Sequence, residues 1–135
     1  ARAIALGARA GIDYRQTDWK AAALAAGPFA VVIDGAGGDG FETLVDVMAP
    51  GGRLAFYGAT RGNPSSLAVR KVFWRQLSLL GSTMGSPADW AAMIAFVALH
   101  RIKPVVSETF DLERAADAFA LMEQGGQFGK IVVRL

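Results

Sequence analysis

Cysteine is absent from the 135-residue sequence, histidine occurs once, and charged side chains are few and of mixed sign. Without cysteine there can be no disulfide, no thiolate zinc site and no cysteine nucleophile in these residues. The single histidine, His100, has no partner for general-base or metal chemistry. The net charge is +2 and the basic residues are scattered among acids, so we expect no nucleic-acid partner.

The sequence also has no long apolar run. The longest, Trp90 to Leu99, is too short to span a bilayer and predicts a core helix, so we expect no membrane partner. Residues 1–7 lack the pattern of a signal peptide and are typical of the last turns of a helix, with Gly7 at the left-handed cap. Together with the missing cysteines, this fits an intracellular protein, and we expect a cytoplasmic one.

Alternating strand and helix patterns predict an α/β fold with a doubly wound, mostly parallel sheet. The run from Phe29 to Ile33 is continuously apolar, as expected of a strand covered on both faces. Ser86, Pro87 and Asp89 form a strong helix-start signal. The predicted strands are 11–14, 29–33, 53–57, 77–80, 105–110 and 131–133, and the predicted helices are 18–26, 41–49, 67–76, 87–100 and 112–124.

Three successive predicted strands end in turns of small residues. These turns are Asp34–Gly37, Tyr57–Thr60 and Gly81–Gly85. Glycine at the carboxyl end of a strand lets a flat ligand approach the backbone, whose N–H and C=O groups can then bind an amide. Because ligands of such sheets lie beyond the carboxyl ends of the strands, the three turns predict a ligand site there.

The first of these turns matches a dinucleotide-binding fingerprint, Gly35-x-Gly37-x-x-Gly40, between a strand and a helix. Its charges argue against a pyrophosphate ligand, since Asp34, Asp39 and Glu42 would surround it with carboxylates. The next strand also ends without the acidic residue that would hold a ribose hydroxyl. We therefore interpret the match as a later turn of a nucleotide-binding sheet.

Four motifs resemble the medium-chain dehydrogenase/reductase superfamily, which includes zinc-dependent alcohol dehydrogenases and zinc-free quinone oxidoreductases. They are Ala8–Arg15, Phe29–Asp34 with the glycines after it, Ala49–Leu54 with Gly58, and Phe128–Val132. Each motif is weak alone, and the four occur in the order and at the spacing of the family. The resemblance implies that residues 1–135 form a partial Rossmann-like, NAD(P)-binding domain that lacks its first two strands. The closing strand would return to a catalytic domain outside the chain.

The resemblance implies an NAD(P)H-dependent oxidoreductase that moves a hydride between nicotinamide and an alcohol or carbonyl, a quinone or an enone. The chain would hold the nicotinamide side and be inactive alone. Any zinc would be bound by the missing part, so no catalytic residue or metal ligand is assigned here. A small-molecule substrate is expected as the second partner.

The family's cofactor contacts map onto individual positions of this chain. Tyr14 matches a tyrosine that contacts the adenosine 2′-phosphate in quinone-oxidoreductase-type members, which favours NADP slightly over NAD. Lys130 is a further residue that could reach a phosphate. The turn residues implied to lie near the nicotinamide ribose, ring and carboxamide are Gly35, Ala36, Tyr57, Gly58, Ala59, Thr60, Ser82, Thr83 and Met84.

The family's habit also implies a homodimer through the strand at 77–80 and the helix at 86–100. Loss of two strands would expose sheet edges, so we expect residues 12–14 to relocate, or two chains to pair or swap strands. Two other hypotheses stay open. One is a stand-alone nucleotide-binding module with Gly35–Gly40 as a true fingerprint and Arg61 on a 2′-phosphate. The other is a non-catalytic assembly domain.

Overall fold

The computed structural model describes residues 2–135, which divide into two units, one ending at Met84 and the other running from Gly85 to Leu135. In the first unit, helices alternate with three strands. Its elements are α1 (Arg2–Ala5), α2 (Trp19–Ala26), β1 (Phe29–Asp34), α3 (Phe41–Asp46), β2 (Met48–Phe56), α4 (Val69–Trp74) and β3 (Ser78–Gly81).

The strands of the first unit form a parallel sheet in the order β1-β2-β3. The register pairs Asp34 with Phe56 and Phe56 with Gly81, so all three strands end at the same level. The predicted α/β class and parallel pairing are confirmed. The expected helix end near the N-terminus is also present. α1 ends at Ala5, and Gly7 takes a φ of 99° shortly after it.

One face of this sheet carries the core of the unit. Side chains of α3 and the strands pack there, and the register places Val32, Leu54 and Leu79 side by side on that face. The buried members of the cluster are Phe41, Val45, Met48, Leu54 and Leu77.

The other face of the sheet is open. Val31, Ile33 and Leu80 are 61%, 71% and 48% exposed. The prediction that β1 is covered on both faces is therefore wrong for this chain. Its apolar run reflects a strand that offers two apolar faces, of which the described residues bury one.

The helix predicted at 41–49 is shorter in the structure, and the next strand begins earlier. α3 ends at Asp46, and the Arg75 guanidinium donates to the carbonyls of Val45, Asp46 and Met48. Met48 already pairs with Phe29. A distant arginine thus satisfies the carbonyls at the helix end, a partner that local sequence patterns do not show.

The short strand predicted at residues 11–14 is absent from the structure. Asp13 instead accepts hydrogen bonds from the backbone N–H and the guanidinium of Arg15, at 2.9–3.1 Å. These local bonds favour a turn over an extended strand.

The second unit has two parallel strands and two helices. Ser86 and Asp89 form the expected capping box at the start of α5, and α6 ends at Gly125 with a φ of 64°. A 3₁₀ turn, Leu112–Arg114, precedes α6, so Asp111 does not cap the long helix that was predicted. The elements are α5 (Pro87–Leu99), β4 (Val106–Asp111), α6 (Ala115–Gln124) and β5 (Lys130–Arg134).

α5 was predicted to be a core helix, and this is wrong for the described chain. None of its residues is buried, although it is mostly apolar. Between residues 2 and 135, no helix is long and apolar enough to cross a membrane.

Asp46, in α3, joins that helix to α2 and α4. Its carboxylate lies 2.5 Å from the Lys20 amine of α2 and 2.6 Å from the Lys71 amine of α4. Its side chain is 14% exposed. Burial by itself raises the pKa of Asp46, but the hydrogen bonds from Lys20 and Lys71 outweigh it, and the pKa lies below its usual value.

We predict that Asp46→Asn lowers the free energy of unfolding by about 1–3 kcal/mol, because Lys20 and Lys71 each lose an ion pair at a partly buried site. Denaturant unfolding at neutral pH measures this. Asp117→Asn, which breaks the exposed Arg114–Asp117 pair, is the control and should cost under about 0.5 kcal/mol.

The Asp46 contribution should also depend on pH. Its folded pKa is lowered, so its stabilisation is complete above the unfolded value of about 3.9 and is lost as pH falls through the folded value. The difference between the native chain and Asp46→Asn should therefore shrink below about pH 4. A difference that stays constant down to pH 2 would contradict this account.

Candidate functional site

The three small-residue turns lie together at the carboxyl edge of the first unit's sheet. The backbone N–H of Tyr57 donates to Asp34 O at 3.0 Å, and that of Ser82 donates to Phe56 O at 2.9 Å. Strand pairing thus continues one residue beyond each strand end. The predicted juxtaposition of the turns is confirmed.

The turn after β1 is built around the carboxylate of Asp34. This side chain is buried, and its two oxygens accept the backbone N–H groups of Ala36 and Gly37 at 3.0 and 2.9 Å. Gly37 and Gly38 have φ values of 65° and 69°, a region that glycine enters without steric cost. Aspartate at the strand end and glycine in the turn therefore act together to fold the chain back.

The turn after β1 is bonded to the turn after β2. Gly38 N–H donates to Gly62 O at 2.8 Å, and Arg61 N–H donates to Ala36 O at 2.9 Å. A Cβ atom on Gly37 would lie 2.7 Å from Gly62 O, and one on Gly58 would lie 2.6 Å from Gly35 O. The two turns are in contact through their backbones, so they form one rigid wall.

These bonds bear on the fingerprint at Gly35–Gly40. In a pyrophosphate site, the N–H groups of the glycine-rich loop point at the ligand. Here the N–H groups of Ala36 and Gly37 donate to Asp34, and that of Gly38 donates to Gly62 O. The match to the motif is real, but these three donors are already used.

Asp39 adds negative charge to the same turn. Hydrogen bonds from Ser65, with the nearby charge of Arg61, hold the pKa of Asp39 below its usual value, so the carboxylate is ionised at neutral pH. The charge argument from the sequence against a pyrophosphate at this turn therefore holds in the structure.

A cavity of about 500 Å³ opens beside the turn after β1, within the first unit. Its volume lies in the range of small-molecule sites. Part of its lining is apolar, and part is backbone of the β1 turn with two carboxylates. The lining residues are Ile12, Tyr14, Trp19, Ala23, Phe29, Asp34, Ala36, Gly37, Asp39, Gly40, Leu44, Val47 and Arg61.

Tyr14 and Arg61 meet at this cavity. The central carbon of the Arg61 guanidinium lies 5.2 Å from the centre of the Tyr14 ring, within the range of a cation–π contact. The sequence singled out both residues separately for a 2′-phosphate, and the structure places them side by side.

The other predicted site residues are distributed around the strand ends. The Tyr57 ring lies against Gly35, where a Cβ atom would be 2.9 Å from it. Ala59, Thr60, Ser82, Thr83 and Met84 are exposed, and Met84 has a φ of 51°. Lys130 begins β5 in the second unit, and its N–H donates to Val105 O at 2.8 Å.

Asp34 builds the turn, as its position before glycine predicts, because aspartate there favours a side-chain-to-backbone turn. One residue of the site has a role that sequence reasoning did not assign. Trp19 forms part of the cavity wall from α2. No local signal marks Trp19, since its place depends on how α2 packs.

A second concavity, of about 600 Å³, lies on α4 and is lined by Ala68, Arg70, Lys71, Trp74 and Arg75. Lys71 is paired with Asp46, and Arg75 is bonded to backbone carbonyls. Two of its three cations are thus engaged in the fold. It lies away from the strand ends and has no feature that indicates a ligand.

Across residues 2–135, no group of three or more histidine, cysteine, aspartate or glutamate side chains is placed to hold a metal ion. The described residues do not fit a zinc site, and no chemistry of this chain is derived from zinc.

Comparison with known proteins finds that dehydrogenases and reductases are similar to this chain. The family described as zinc-binding dehydrogenase matches residues 6–133. The zinc-type alcohol dehydrogenase-like protein YogA of Leptosphaeria maculans is 36% identical over 77% of this chain. The aldehyde reductase AdhA of Synechocystis is 32% identical over 69% of it. A crystal structure of an NAD-dependent alcohol dehydrogenase superposes with a TM-score of 0.84 at 39% identity, over 99% of this chain.

The match covers a limited share of each relative. The aligned region spans 30% of the YogA-like protein, 27% of the aldehyde reductase and 40% of the crystallised dehydrogenase. The likeness therefore concerns one part of those proteins.

We predict that Gly37→Ala destabilises the chain more than Gly51→Ala. Both glycines have positive φ, which costs alanine about 1–2 kcal/mol, but only at Gly37 would the new methyl meet backbone, at 2.7 Å. Gly37→Ala should cost about 2–4 kcal/mol in denaturant unfolding. Equal losses for the two variants would show that the turns are not locked together.

Proposed function

Because this chain belongs to the zinc-binding dehydrogenase family, we propose that it is part of a nicotinamide-dependent oxidoreductase and holds one side of the cofactor site. Its substrate would be an alcohol or carbonyl compound, a quinone or an enone. The observation that carries the proposal is the cavity of about 500 Å³ beside the first of the three strand-end turns. The whole of residues 1–135 would serve as a partial NAD(P)-binding domain, in the cytoplasm.

The cavity fits the nicotinamide half of the nucleotide. Apolar side chains of Trp19, Phe29 and Leu44 supply a dry wall for a ring, and the Ala36–Gly37 backbone can approach it closely. When bound, the nicotinamide accepts or donates the hydride. The residues of this chain would orient its ring and exclude water from it.

The remaining predicted contacts belong to the same proposal. Gly35 and Ala36 would border the nicotinamide ribose, and Tyr57–Thr60 would line the ring side. The exposed backbone of Ser82–Met84 would receive the carboxamide, and Lys130 would reach a phosphate.

We also propose a preference for NADP, supported by the Tyr14–Arg61 contact. A tyrosine hydroxyl and a guanidinium side by side offer a hydrogen bond and a positive charge to a phosphate. Tyr14 and Ala36 line one cavity. A nucleotide with its 2′-phosphate on Tyr14 and its nicotinamide at Ala36 would therefore have to bridge that cavity.

Nucleotide titration tests this proposal. We predict that the chain binds NADPH more tightly than NADH, and that Arg61→Gln weakens NADPH binding by about tenfold or more while leaving NADH unchanged, because it removes a charged partner of the phosphate. Isothermal titration calorimetry gives the Kd values. Arg9→Gln, at another exposed arginine of the same unit, is the control.

The outcomes separate the hypotheses. Equal Kd values for NADPH and NADH would remove the NADP preference but keep nucleotide binding. If neither nucleotide binds, the proposal of a cofactor site fails and the assembly-domain hypothesis remains.

A homodimer is part of the proposal as well. β3 is an edge strand with exposed Leu80, and α5 presents Trp90 and Phe96 to solvent. An open edge and an apolar helix are surfaces that association covers.

We predict that light scattering finds a dimer. The double variant Leu80→Lys, Trp90→Lys should be a monomer, because dimerisation would bury two charged lysines in the interface of each chain. Leu24→Lys is the control, since Leu24 is 50% exposed, close to the 48% of Leu80, but lies in α2. A native chain that is monomeric at all concentrations would refute the dimer.

A further inference from the structure

The carboxylate of Asp34 stands where a bound anion stands in a glycine-rich phosphate loop. Successive backbone N–H groups that point to one spot form a concave anion site. In this chain the N–H groups of Ala36 and Gly37 converge on the two oxygens of Asp34 at 3.0 and 2.9 Å. The loop thus carries its own anion.

Two further N–H groups of the turn are also engaged. Gly38 N–H donates to Gly62 O and Phe41 N–H donates to Gly38 O. The Asp39 carboxylate also belongs to this turn, but it accepts from Ser65 instead of the turn's own N–H groups. Asp34 and Asp39 therefore bring the same charge, and only Asp34 occupies the donors.

We propose that Asp34 is a specificity-determining residue that keeps pyrophosphate off the Ala36 and Gly37 amides and so fixes which end of a nicotinamide dinucleotide lies there. This rests on the proposed function for the identity of the ligand. A negatively charged phosphate would meet occupied donors and a buried carboxylate, whereas a ribose or a nicotinamide ring, which carries no negative charge, would not be repelled. The pyrophosphate is then kept off the amides of Ala36 and Gly37, and the nicotinamide end is accepted beside them.

Titration with inorganic pyrophosphate tests the exclusion. The ¹⁵N–¹H NMR signals of the Ala36 and Gly37 amides report the binding. The native chain should show no shift at these two amides. Asp34→Asn has the same size but one acceptor oxygen and no charge, so it frees a donor. It should bind pyrophosphate at least about tenfold more tightly than the native chain. Asp34→Ala, which frees both donors, is the second variant.

Asp39→Asn is the matched control. It removes one negative charge from the same turn but frees none of its N–H groups, so its affinity for pyrophosphate should stay within about threefold of the native chain. An equal gain for Asp39→Asn and Asp34→Asn would mean that charge alone excludes phosphate and would overturn the proposal.

Two further results would overturn it. One is a shift of the Ala36 and Gly37 amides when the native chain is titrated, a result that does not depend on how any variant folds. The other is the finding that Asp34→Asn and Asp34→Ala both fold but bind pyrophosphate no more tightly than the native chain. Failure of the proposed function gives a different result. If the native chain binds neither NADPH nor NADH, but Asp34→Asn gains affinity for pyrophosphate, then Asp34 excludes pyrophosphate although the chain does not bind the cofactor.

Discussion

The candidate site depends on a buried carboxylate that must accept hydrogen bonds. Asp34 ends β1 inside the protein, where an unpaired carboxylate would be costly. The nearest donors are the N–H groups of Ala36 and Gly37, and reaching them requires the chain to reverse at once. That reversal brings Gly37 and Gly38 against the turn after β2. One hydrogen-bonding requirement at a strand end thus shapes the turn, joins it to its neighbour and forms the polar wall of the cavity.

The apolar wall depends on a second carboxylate. Trp19 and Ala23 reach the cavity from α2, and α2 is held to α3 and α4 by Lys20 and Lys71 at Asp46. This ion-pair cluster lies on the helices, whereas the turns lie at the sheet edge. The two walls of the cavity are therefore held by different interactions. A change at Asp46 should loosen the apolar wall while the backbone contact between the turns remains.

The sequence predicted the features that depend on local patterns. Strand–helix alternation, the start of α5 and the cap at Gly7 follow from hydrophobic period and capping residues, and the structure has them. The early end of α3 was missed because Arg75 bonds its carbonyls from 27–30 residues away in sequence. Burial of β1 was overestimated for a related reason. An apolar run indicates which faces of a strand can be buried, but which faces are buried depends on the elements that pack against the strand.

Around the site the same division holds. The alignment of the three turns was predictable, because parallel strands of an α/β sheet end at one edge. The contact between Tyr14 and Arg61 was not, since it depends on a segment that forms a turn instead of the expected strand. The fingerprint at Gly35–Gly40 illustrates the general limit. Glycine spacing specifies the path of a backbone, but a ligand needs free N–H groups as well as that path. Whether those groups are free depends on the residue before the first glycine, and here that residue is an aspartate that uses them.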